Sequence, residues 1–216
     1  MYGFGGAAAT LAPLVMTSIL IVCTGNICRS PMAEGFLRDG LVARFGEQAP
    51  TVSSAGTAGL EGQAASAGSV RAAAERGSNI EAHRARRLTA GMLRDADLVL
   101  CMAGEHRDQV AALAPAVTGR TFTLKELVRL LEASEASDPP GDDREVLADR
   151  VAAAEALRAS GFAGNPLDED VADPLGMPLE SYRAIAWELE GWCLRLLDGV
   201  FGASPVRAHG GRSATP

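Results

Sequence analysis

A cysteine and an arginine lie six positions apart near the start of the chain, in the run CTGNICRSP at residues 23–31. A cysteine reacts as a thiolate, and positive charge close to the sulfur favours that form. The guanidinium of Arg29 is a planar fork that fits two oxygens of a phosphate. Cys23 and Arg29 therefore predict a nucleophilic site that cleaves phosphate esters.

The segments on either side of this run are suited to hold an anion. The apolar run ILIV at residues 19–22 is typical of a strand, and a helix-like stretch follows at residues 32–44. A loop that leads into a helix N-terminus gathers unpaired backbone N–H groups into a nest for a phosphate. Gly25 permits the tight turn, and we expect Ser30 to cap the helix. The predicted substrate-binding positions of the loop are Thr24, Gly25, Asn26, Ile27, Cys28 and Ser30.

Two other interpretations of the cysteine are open. Free cysteines are usually buried and inert, and a structural cysteine beside a surface arginine would give the same spacing. Cys23 and Cys28 could also form half of a zinc knuckle, but the sequence has no second pair of cysteines or histidines at ligand spacing. We therefore predict no metal and no cofactor.

The run CTGNICRSPMAE resembles the active-site loop of the low-molecular-weight protein tyrosine phosphatase family. Further segments resemble the family in the same order and extend the likeness over roughly residues 17–201: SSAGT, HRARRLT, DLVLCM, FTLKEL and DPLGMPLESY. The resemblance implies a metal-free phosphomonoesterase with a cysteine nucleophile on a small α/β fold.

Transfer of a phosphoryl group to sulfur leaves an oxygen that needs a proton, so a carboxylic acid should lie near the loop. Asp173, followed by a proline, occupies the family's general-acid position. Asp138 also precedes a proline but lacks the helix pattern after it, so we favour Asp173. In the predicted reaction Cys23 takes the phosphoryl group while Arg29 and the loop amides hold its oxygens. Asp173 protonates the leaving group and then activates water, and Ser30 hydrogen-bonds the sulfur.

Residues outside the loop are expected to support its shape. Ser54 and His83 match the family's supporting network, and the resemblance implies that both hold the side chain of Asn26. His106 and His209 match no role, and we expect both on the surface.

The remaining cysteines raise two questions of chemistry. The resemblance implies a reversible disulfide between Cys23 and Cys28 that shields the nucleophile from over-oxidation, with a packing role for Cys28 as the alternative. An arsenate reductase on the same fold would need a relay of further thiols. Cys101 lies near a strand end, but Asp108 stands seven positions on and Cys193 lies in a late helix, so this activity is less favoured.

The pocket wall departs from the animal-type members, which carry aromatic residues after the Asp-Pro pair. Here Leu175-Gly176 follow that pair and residues 58–60 are Ala-Gly-Leu, so the wall is aliphatic. FTLKEL and DPLGMPLESY resemble a bacterial branch that includes protein-arginine phosphatases, in which a threonine stands at the position of Ile27. Because Ile27 resembles the tyrosine-type loop, we favour phosphotyrosine and keep phosphoarginine as the alternative. A phosphate-binding module without turnover is disfavoured, since nucleophile, arginine and acid are all present.

Four short apolar runs separated by helical patterns predict a single doubly wound α/β domain, with a four-stranded parallel sheet flanked by helices. The predicted strands are residues 18–23, 51–55, 98–102 and 120–122. The predicted helices are residues 31–45, 67–77, 105–113, 124–131, 143–159 and 178–200.

Composition suggests how the rest of the chain is organised. We expect a disordered or mis-annotated extension at residues 1–15, a phosphatase domain at 16–201 and a disordered tail at 202–216. An acidic, solvated helical insertion is expected at about residues 132–170. The net charge of −7 disfavours nucleic acid, and the apolar start is too short to span a membrane. We expect the protein to be cytoplasmic, because scattered cysteines suit a reducing compartment. We also expect a monomer that acts on a phosphorylated protein.

Overall fold

Four parallel strands form the centre of the molecule. The structure is a computed structural model and describes residues 17–134, 143–162 and 168–203. The strands are β1 (Ser18–Cys23), β2 (Thr51–Gly56), β3 (Leu98–Cys101) and β4 (Thr121–Thr123), in the order β2-β1-β3-β4. This arrangement confirms the predicted four-stranded parallel sheet, and each strand lies within one residue of its predicted bounds.

The strand order determines where a ligand can bind. β1 lies between β2 and β3, so the chain passes from β1 to a neighbour on one side and then crosses to add β3 and β4 on the other side. In such sheets ligands bind beyond the carboxyl ends of the strands at this switch point. Cys23 is the last residue of β1 and pairs with Gly56 at the end of β2. The predicted nucleophile therefore lies at the switch point.

Helices cover both faces of the sheet. They are α1 (Arg29–Phe45), α2 (Ala67–Ala74), α3 (Ala90–Asp95), α4 (Gly104–Leu113), α5 (Leu124–Ala133), α6 (Asp143–Ala159) and α7 (Leu179–Phe201), with short 3-10 segments at Gly46–Gln48 and Pro115–Arg120. Six of the seven α-helices in the described residues were predicted. The sequence analysis missed α3, a helix of six residues that begins after Thr89, whose hydroxyl accepts a hydrogen bond from the Met92 backbone N–H. A helix this short has too few apolar repeats for periodicity to reveal it.

The core is divided in two by the sheet. Ile19 and Ile21 of β1 face one side, where they pack with residues of α1, α2, α5, α6 and α7. Leu20 and Val22 face the other side, with residues of β3, α3 and α4. Alternation along β1 with apolar residues on both faces is expected for a strand buried in a parallel sheet. This core fixes β1, and with it the start of the loop that follows Cys23.

The acidic insertion is not fully solvated, in contrast to our expectation. Its predicted helix is present as α6, but Leu147, Val151 and Ala154 on one face are buried in the core. The guanidinium of Arg158 lies 4.2 Å from the ring centroid of Phe122 and donates to the carbonyl oxygen of Thr121. The apolar spacing within α6 decides its packing, and the surrounding acidic residues do not prevent it.

Several predicted segments fall beyond what the structure covers. Residues 1–16, 135–142, 163–167 and 204–216 lie outside the described ranges, so the expected extension and most of the tail stay predictions. Within the described ranges, no helix combines the length and the apolar character that a membrane span requires.

Candidate active site

The loop after β1 folds into a tight turn around the sulfur of Cys23. α1 begins at Arg29, so residues 24–28 form the connection. Asn26 has a φ of 56°, in the left-handed region, and its backbone N–H donates to Cys23 Sγ over 3.3 Å. Asn tolerates this conformation better than most residues. The turn thus directs a backbone N–H group at the sulfur, as an anion-binding loop requires.

Ser30 contacts the sulfur and does not cap the helix. Its Oγ lies 2.9 Å from Cys23 Sγ, and both side chains are buried. The predicted capping role was wrong, because α1 begins at Arg29, two residues before the predicted start, and Ser30 lies in its first turn. Cys28 occupies the N-cap position and makes no side-chain capping bond. The Ser30 hydroxyl is therefore available to hydrogen-bond a thiolate or a phosphorylated sulfur.

Arg29 lies at the centre of the polar contacts of the site. Its side chain is 6% exposed, and Nη2 lies 2.6 Å from Asp173 Oδ2. Nη2 also donates to Thr24 Oγ1 over 3.2 Å, and Nη1 donates to the carbonyl oxygen of Val171 over 3.1 Å. The Nε–H group is buried and has no hydrogen-bond partner within the described ranges. A buried, unpaired guanidinium N–H is a ready donor to an anion.

The segment that precedes Asp173 is attached to the carboxyl end of β3. The backbone N–H of Val171 donates to the carbonyl oxygen of Met102, and the N–H of Gly104 donates to Asp170 Oδ1 over 2.8 Å. The Asp173 side chain is 41% exposed, so it lies at the mouth of the loop with access to solvent. The structure therefore brings Asp173 to Arg29 as predicted, while the rival Asp138 lies outside the described residues.

The side chain of Asn26 holds the loop through several hydrogen bonds. Its Nδ2 donates to Ser30 Oγ over 2.9 Å and to Ser54 Oγ over 2.7 Å, and its Oδ1 accepts from the Arg86 backbone N–H. Ser54 thus contacts Asn26 as expected. His83 does not: its Nε2 lies 2.8 Å from the backbone carbonyl oxygen of Asn26, not from the side chain.

Glu34 belongs to the same support and was missed. The Ser54 hydroxyl donates to Glu34 Oε2, and His83 Nδ1 lies 3.8 Å from the same oxygen. Glu34 stands four residues after Ser30, so the two share a face of α1. That spacing was the signal in the sequence, although a glutamate on a helix is usually a solvated residue.

His106 is buried, although we expected it on the surface. It is 0% exposed, and its Nε2 lies 2.9 Å from Thr24 Oγ1. Burial, followed by the charge of Arg29, lowers the pKa of His106 from its ordinary value. The residue lies in the first turn of α4, which begins at Gly104 beside the end of β3, and this packing points it at the loop. His209 lies outside the described residues.

The other cysteines are free thiols in buried positions. Cys28 Sγ lies 3.3 Å from the Ser66 hydroxyl, and burial raises the pKa of this thiol. Burial also raises the pKa of Cys101 and of Cys193. Neither of these two thiols is suited to a relay, and the disulfide between Cys23 and Cys28 stays a prediction. In the parts of the chain that the structure covers, no group of His, Cys, Asp and Glu is arranged to hold a metal ion.

The rim of the site is aliphatic. The backbone N–H of Leu60 donates to the carbonyl oxygen of Gly25, which places Leu60 against the loop, and Leu60 is partly exposed. Leu175 and Met177, which follow the acid, are also exposed. Gly59, next to Leu60, lies against the backbone of Arg86, since a Cβ at Gly59 would collide with the carbonyl oxygen of Arg86. Leu60 thus lies against the loop, and the aliphatic wall that includes Leu175 stays a prediction.

Fold and site together define a phosphatase with a cysteine nucleophile in an anion-binding loop at the switch point of a parallel sheet. The family model of the low molecular weight phosphotyrosine protein phosphatases matches residues 18–162. The chain belongs to this family. Asp173 lies beyond the residues that the family model matches, so its role as the acid stays a prediction from the resemblance of its segment, supported by the contact with Arg29.

Relatives of two substrate classes resemble the chain. The low molecular weight protein-tyrosine-phosphatase Etp of Escherichia coli K12 is 44% identical over 129 residues, which are 60% of this chain and 81% of Etp. A protein-arginine-phosphatase of Geobacillus stearothermophilus is 34% identical over 182 residues, 83% of this chain and 93% of that protein. The crystal structure of the tyrosine phosphatase AmsI of Erwinia amylovora superposes with a TM-score of 0.62 at 27% identity, covering 92% of this chain and 97% of AmsI.

Proposed function

We propose that the protein hydrolyses phosphotyrosine in phosphoproteins through a phosphorylated cysteine, without a metal ion. The observation that carries the proposal is the position of Arg29. Its Nη2 donates to Thr24 in the loop of Cys23 and to Asp173, and its buried Nε–H has no partner among the described residues. The guanidinium of Arg29 thus contacts both the loop that follows Cys23 and the proposed acid, Asp173.

In the first step the Cys23 thiolate attacks phosphorus, an S–P bond forms and the ester P–O bond breaks. Arg29 and the loop N–H groups bind the equatorial oxygens, where negative charge is spread in the transition state. Asp173, as the carboxylic acid, gives its proton to the leaving oxygen. The contact between Asp173 and Arg29 in the free enzyme places the acid within reach of a phosphate bound to that arginine.

In the second step water attacks phosphorus, a P–O bond forms and the S–P bond breaks. Asp173, now a carboxylate, accepts the proton of the water, and inorganic phosphate leaves. The Cys23 sulfur departs as a thiolate, to which the Ser30 hydroxyl donates at the 2.9 Å contact and the Asn26 backbone N–H donates at 3.3 Å. These two donors stabilise the leaving sulfur because hydrogen bonds to a charged group are strong.

Phosphotyrosine is favoured over phosphoarginine by the residue at position 27. Ile27 lies within the loop, and a Cβ at Gly25 would be 3.5 Å from Ile27 Cγ1, so this side chain shapes the floor beside the phosphate. The identity with Etp also supports a phosphotyrosine substrate. Protein-arginine phosphatase activity is the second candidate, supported by the aliphatic rim and by the long match to the Geobacillus relative. Arsenate reduction is third, since Cys101 and Cys193 are buried.

The test compares peptides that carry phosphotyrosine with peptides that carry phosphoarginine, in the presence of EDTA. We expect phosphate release from phosphotyrosine at the higher kcat/KM and no release by Cys23→Ser. Preferential release from phosphoarginine would replace the substrate assignment. Activity that EDTA abolishes, or that Cys23→Ser retains, would overturn the mechanism.

We also propose a cytoplasmic monomer that acts on protein substrates in bacterial signalling and binds neither nucleic acid nor membranes. The four cysteines are free thiols, which suits a reducing compartment, and a net charge of −7 opposes binding to nucleic acid. We propose the domain bounds 16–201, with residues 1–15 and 202–216 outside the domain. Size-exclusion chromatography with light scattering tests the monomer, and limited proteolysis tests the bounds.

A further inference from the structure

A buried imidazole contacts the phosphate-binding loop and has no part in the proposed reaction. His106 Nε2 lies 2.9 Å from Thr24 Oγ1 and 3.4 Å from Glu105 Oε1. Its other nitrogen, Nδ1, is buried and has no hydrogen-bond partner within the described ranges. A buried polar side chain that contacts the residue next to the nucleophile requires an explanation.

The surroundings of the ring determine its tautomer. A neutral imidazole carries its hydrogen on one nitrogen only. A carboxylate, such as that of Glu105, accepts hydrogen bonds but cannot donate them, so the Nε2 that faces it should carry the hydrogen. A hydrogen on Nδ1 would instead leave a buried donor unpaired, which is costly. His106 is therefore a donor to Thr24 Oγ1.

The Thr24 hydroxyl then receives two hydrogen bonds. His106 donates to Oγ1 from one side, and Arg29 Nη2 donates to the same oxygen over 3.2 Å. A hydroxyl oxygen has two lone pairs and one hydrogen of its own. With both lone pairs occupied, the hydrogen of Thr24 is free to donate to another acceptor.

We propose that His106 is a positioning residue of the phosphate-binding loop: it orients the Thr24 hydroxyl, and through that hydroxyl it holds Arg29 and leaves the Thr24 hydrogen to be donated to a phosphate oxygen. This inference rests on the proposed function, because it assumes that a phosphate binds in the loop.

The charges around His106 are compatible with this role. Arg29, Glu105, Asp170 and Asp173 act on the ring, and burial with the Arg29 charge lowers the pKa of His106. A neutral imidazole does not repel the guanidinium with which it shares the Thr24 oxygen. The first turn of α4, where the backbone is electropositive, also favours a neutral ring.

The main test uses a matched pair of amides at position 106. The amide nitrogen of glutamine can reach the place of Nε2, whereas that of asparagine reaches only the place of Nδ1. We expect H106Q to keep most of the wild-type kcat/KM and H106N and H106L to lose about tenfold, the effect of one hydrogen bond. The inhibition constant for inorganic phosphate should rise in parallel. Equal activities of H106Q and H106N at equal Tm, or an unchanged H106L, would overturn the inference.

A double-mutant cycle tests whether the histidine acts through Thr24. In T24V the hydroxyl is lost, so adding H106L should produce no further loss of kcat/KM. Losses that multiply in T24V/H106L would contradict the inference. If H106L fails to fold, comparison of H106Q with H106N still tests the inference. The longer glutamine should be more active than asparagine only if a donor at the place of Nε2 is needed to contact Thr24.

The tautomer can be tested without turnover. Long-range 1H–15N NMR of the histidine rings should show His106 protonated on Nε2 and unprotonated on Nδ1 at neutral pH. The opposite tautomer would remove the basis of the inference. Should the wild type release no phosphate from any peptide, the proposed function fails, while the tautomer and the binding of inorganic phosphate still report on His106.

Discussion

Asp173 and Arg29, which stand 144 positions apart, form an ion pair with an N–O distance of 2.6 Å at the mouth of the loop. The pair connects Asp173, which precedes α7, with Arg29, the first residue of α1. In the proposed reaction, a phosphate bound to Arg29 lies next to this carboxyl group, so substrate binding and proton delivery both depend on one arginine.

Replacing Asp173 with asparagine should slow the hydrolysis of each substrate, and the decrease should grow with the basicity of the leaving group. Asparagine keeps the size of the side chain but cannot donate a proton. We expect kcat to fall roughly 10²- to 10⁴-fold for alkyl phosphates and less for p-nitrophenyl phosphate. Asp108→Asn, at an exposed position on α4, is the control and should resemble the parent. An equal loss on all leaving groups would argue against the acid assignment.

Replacing Arg29 with lysine should damage phosphate binding and turnover together. A lysine keeps the positive charge but loses the planar fork and the separate donors to Thr24, Val171 and Asp173. We expect kcat/KM to fall by roughly 10² to 10³, with weaker inhibition by inorganic phosphate. Arg38→Lys, at a half-buried position of α1 outside the site, serves as the comparison. An active Arg29→Lys enzyme would be inconsistent with a bidentate role.

Replacing Asn26 with alanine should both destabilise the fold and reduce activity. The substitution removes two donors and one acceptor and leaves a residue with a Cβ at positive φ. We expect a loss of about 1 to 3 kcal/mol in the free energy of unfolding, measured by urea denaturation, and a lower kcat. Asn79→Ala, at an exposed position, should change neither quantity by much. A stable, fully active Asn26→Ala would show that the side chain does not maintain the loop.

Alkylation at pH 7 should select Cys23 among the four cysteines. Burial raises the pKa of Cys28, Cys101 and Cys193, so these thiols stay protonated and react slowly. We expect iodoacetate to modify Cys23 first, with loss of activity, and inorganic phosphate to protect it. Peptide mass spectrometry identifies the modified residue. Faster modification of Cys28 would place the reactive sulfur elsewhere in the loop.

Replacing Leu147 with alanine should destabilise the protein as a core substitution does. Leu147 is 1% exposed and lies in the core cluster, although it belongs to the acidic insertion. We expect a loss of about 2 to 5 kcal/mol in the free energy of unfolding. Asp149→Ala, two residues on and exposed, should stay within about 0.5 kcal/mol of the parent. Similar stabilities for the two variants would show that α6 contributes little to the core.

The parallel sheet and the loop were predictable because their signals are local. The apolar run before Cys23 and the spacing to Arg29 define strand, turn and helix within a dozen residues. Asp173 was found because its segment resembles the family, not because anything near it in the sequence points to Cys23.

The residues that were missed act across long separations. His106 lies 82 positions from Thr24, and its burial depends on how α4 packs against the end of β3. Ser30 contacts Cys23 but does not cap α1, because the helix begins two residues before the expected start at residue 31. Periodicity gives the type of an element but not its first residue, and it does not give the contacts between distant elements.

The attachment of residues 170 and 171 to the end of β3 has a consequence for how this fold varies. Because Met102 and Gly104 hold that short segment directly, we expect the distance between Asp173 and Cys23 to be independent of how much chain intervenes after α5. Additional residues between α5 and Asp170 should then leave the geometry of the proposed site unchanged. The stretch that carries α6 occupies this tolerant position.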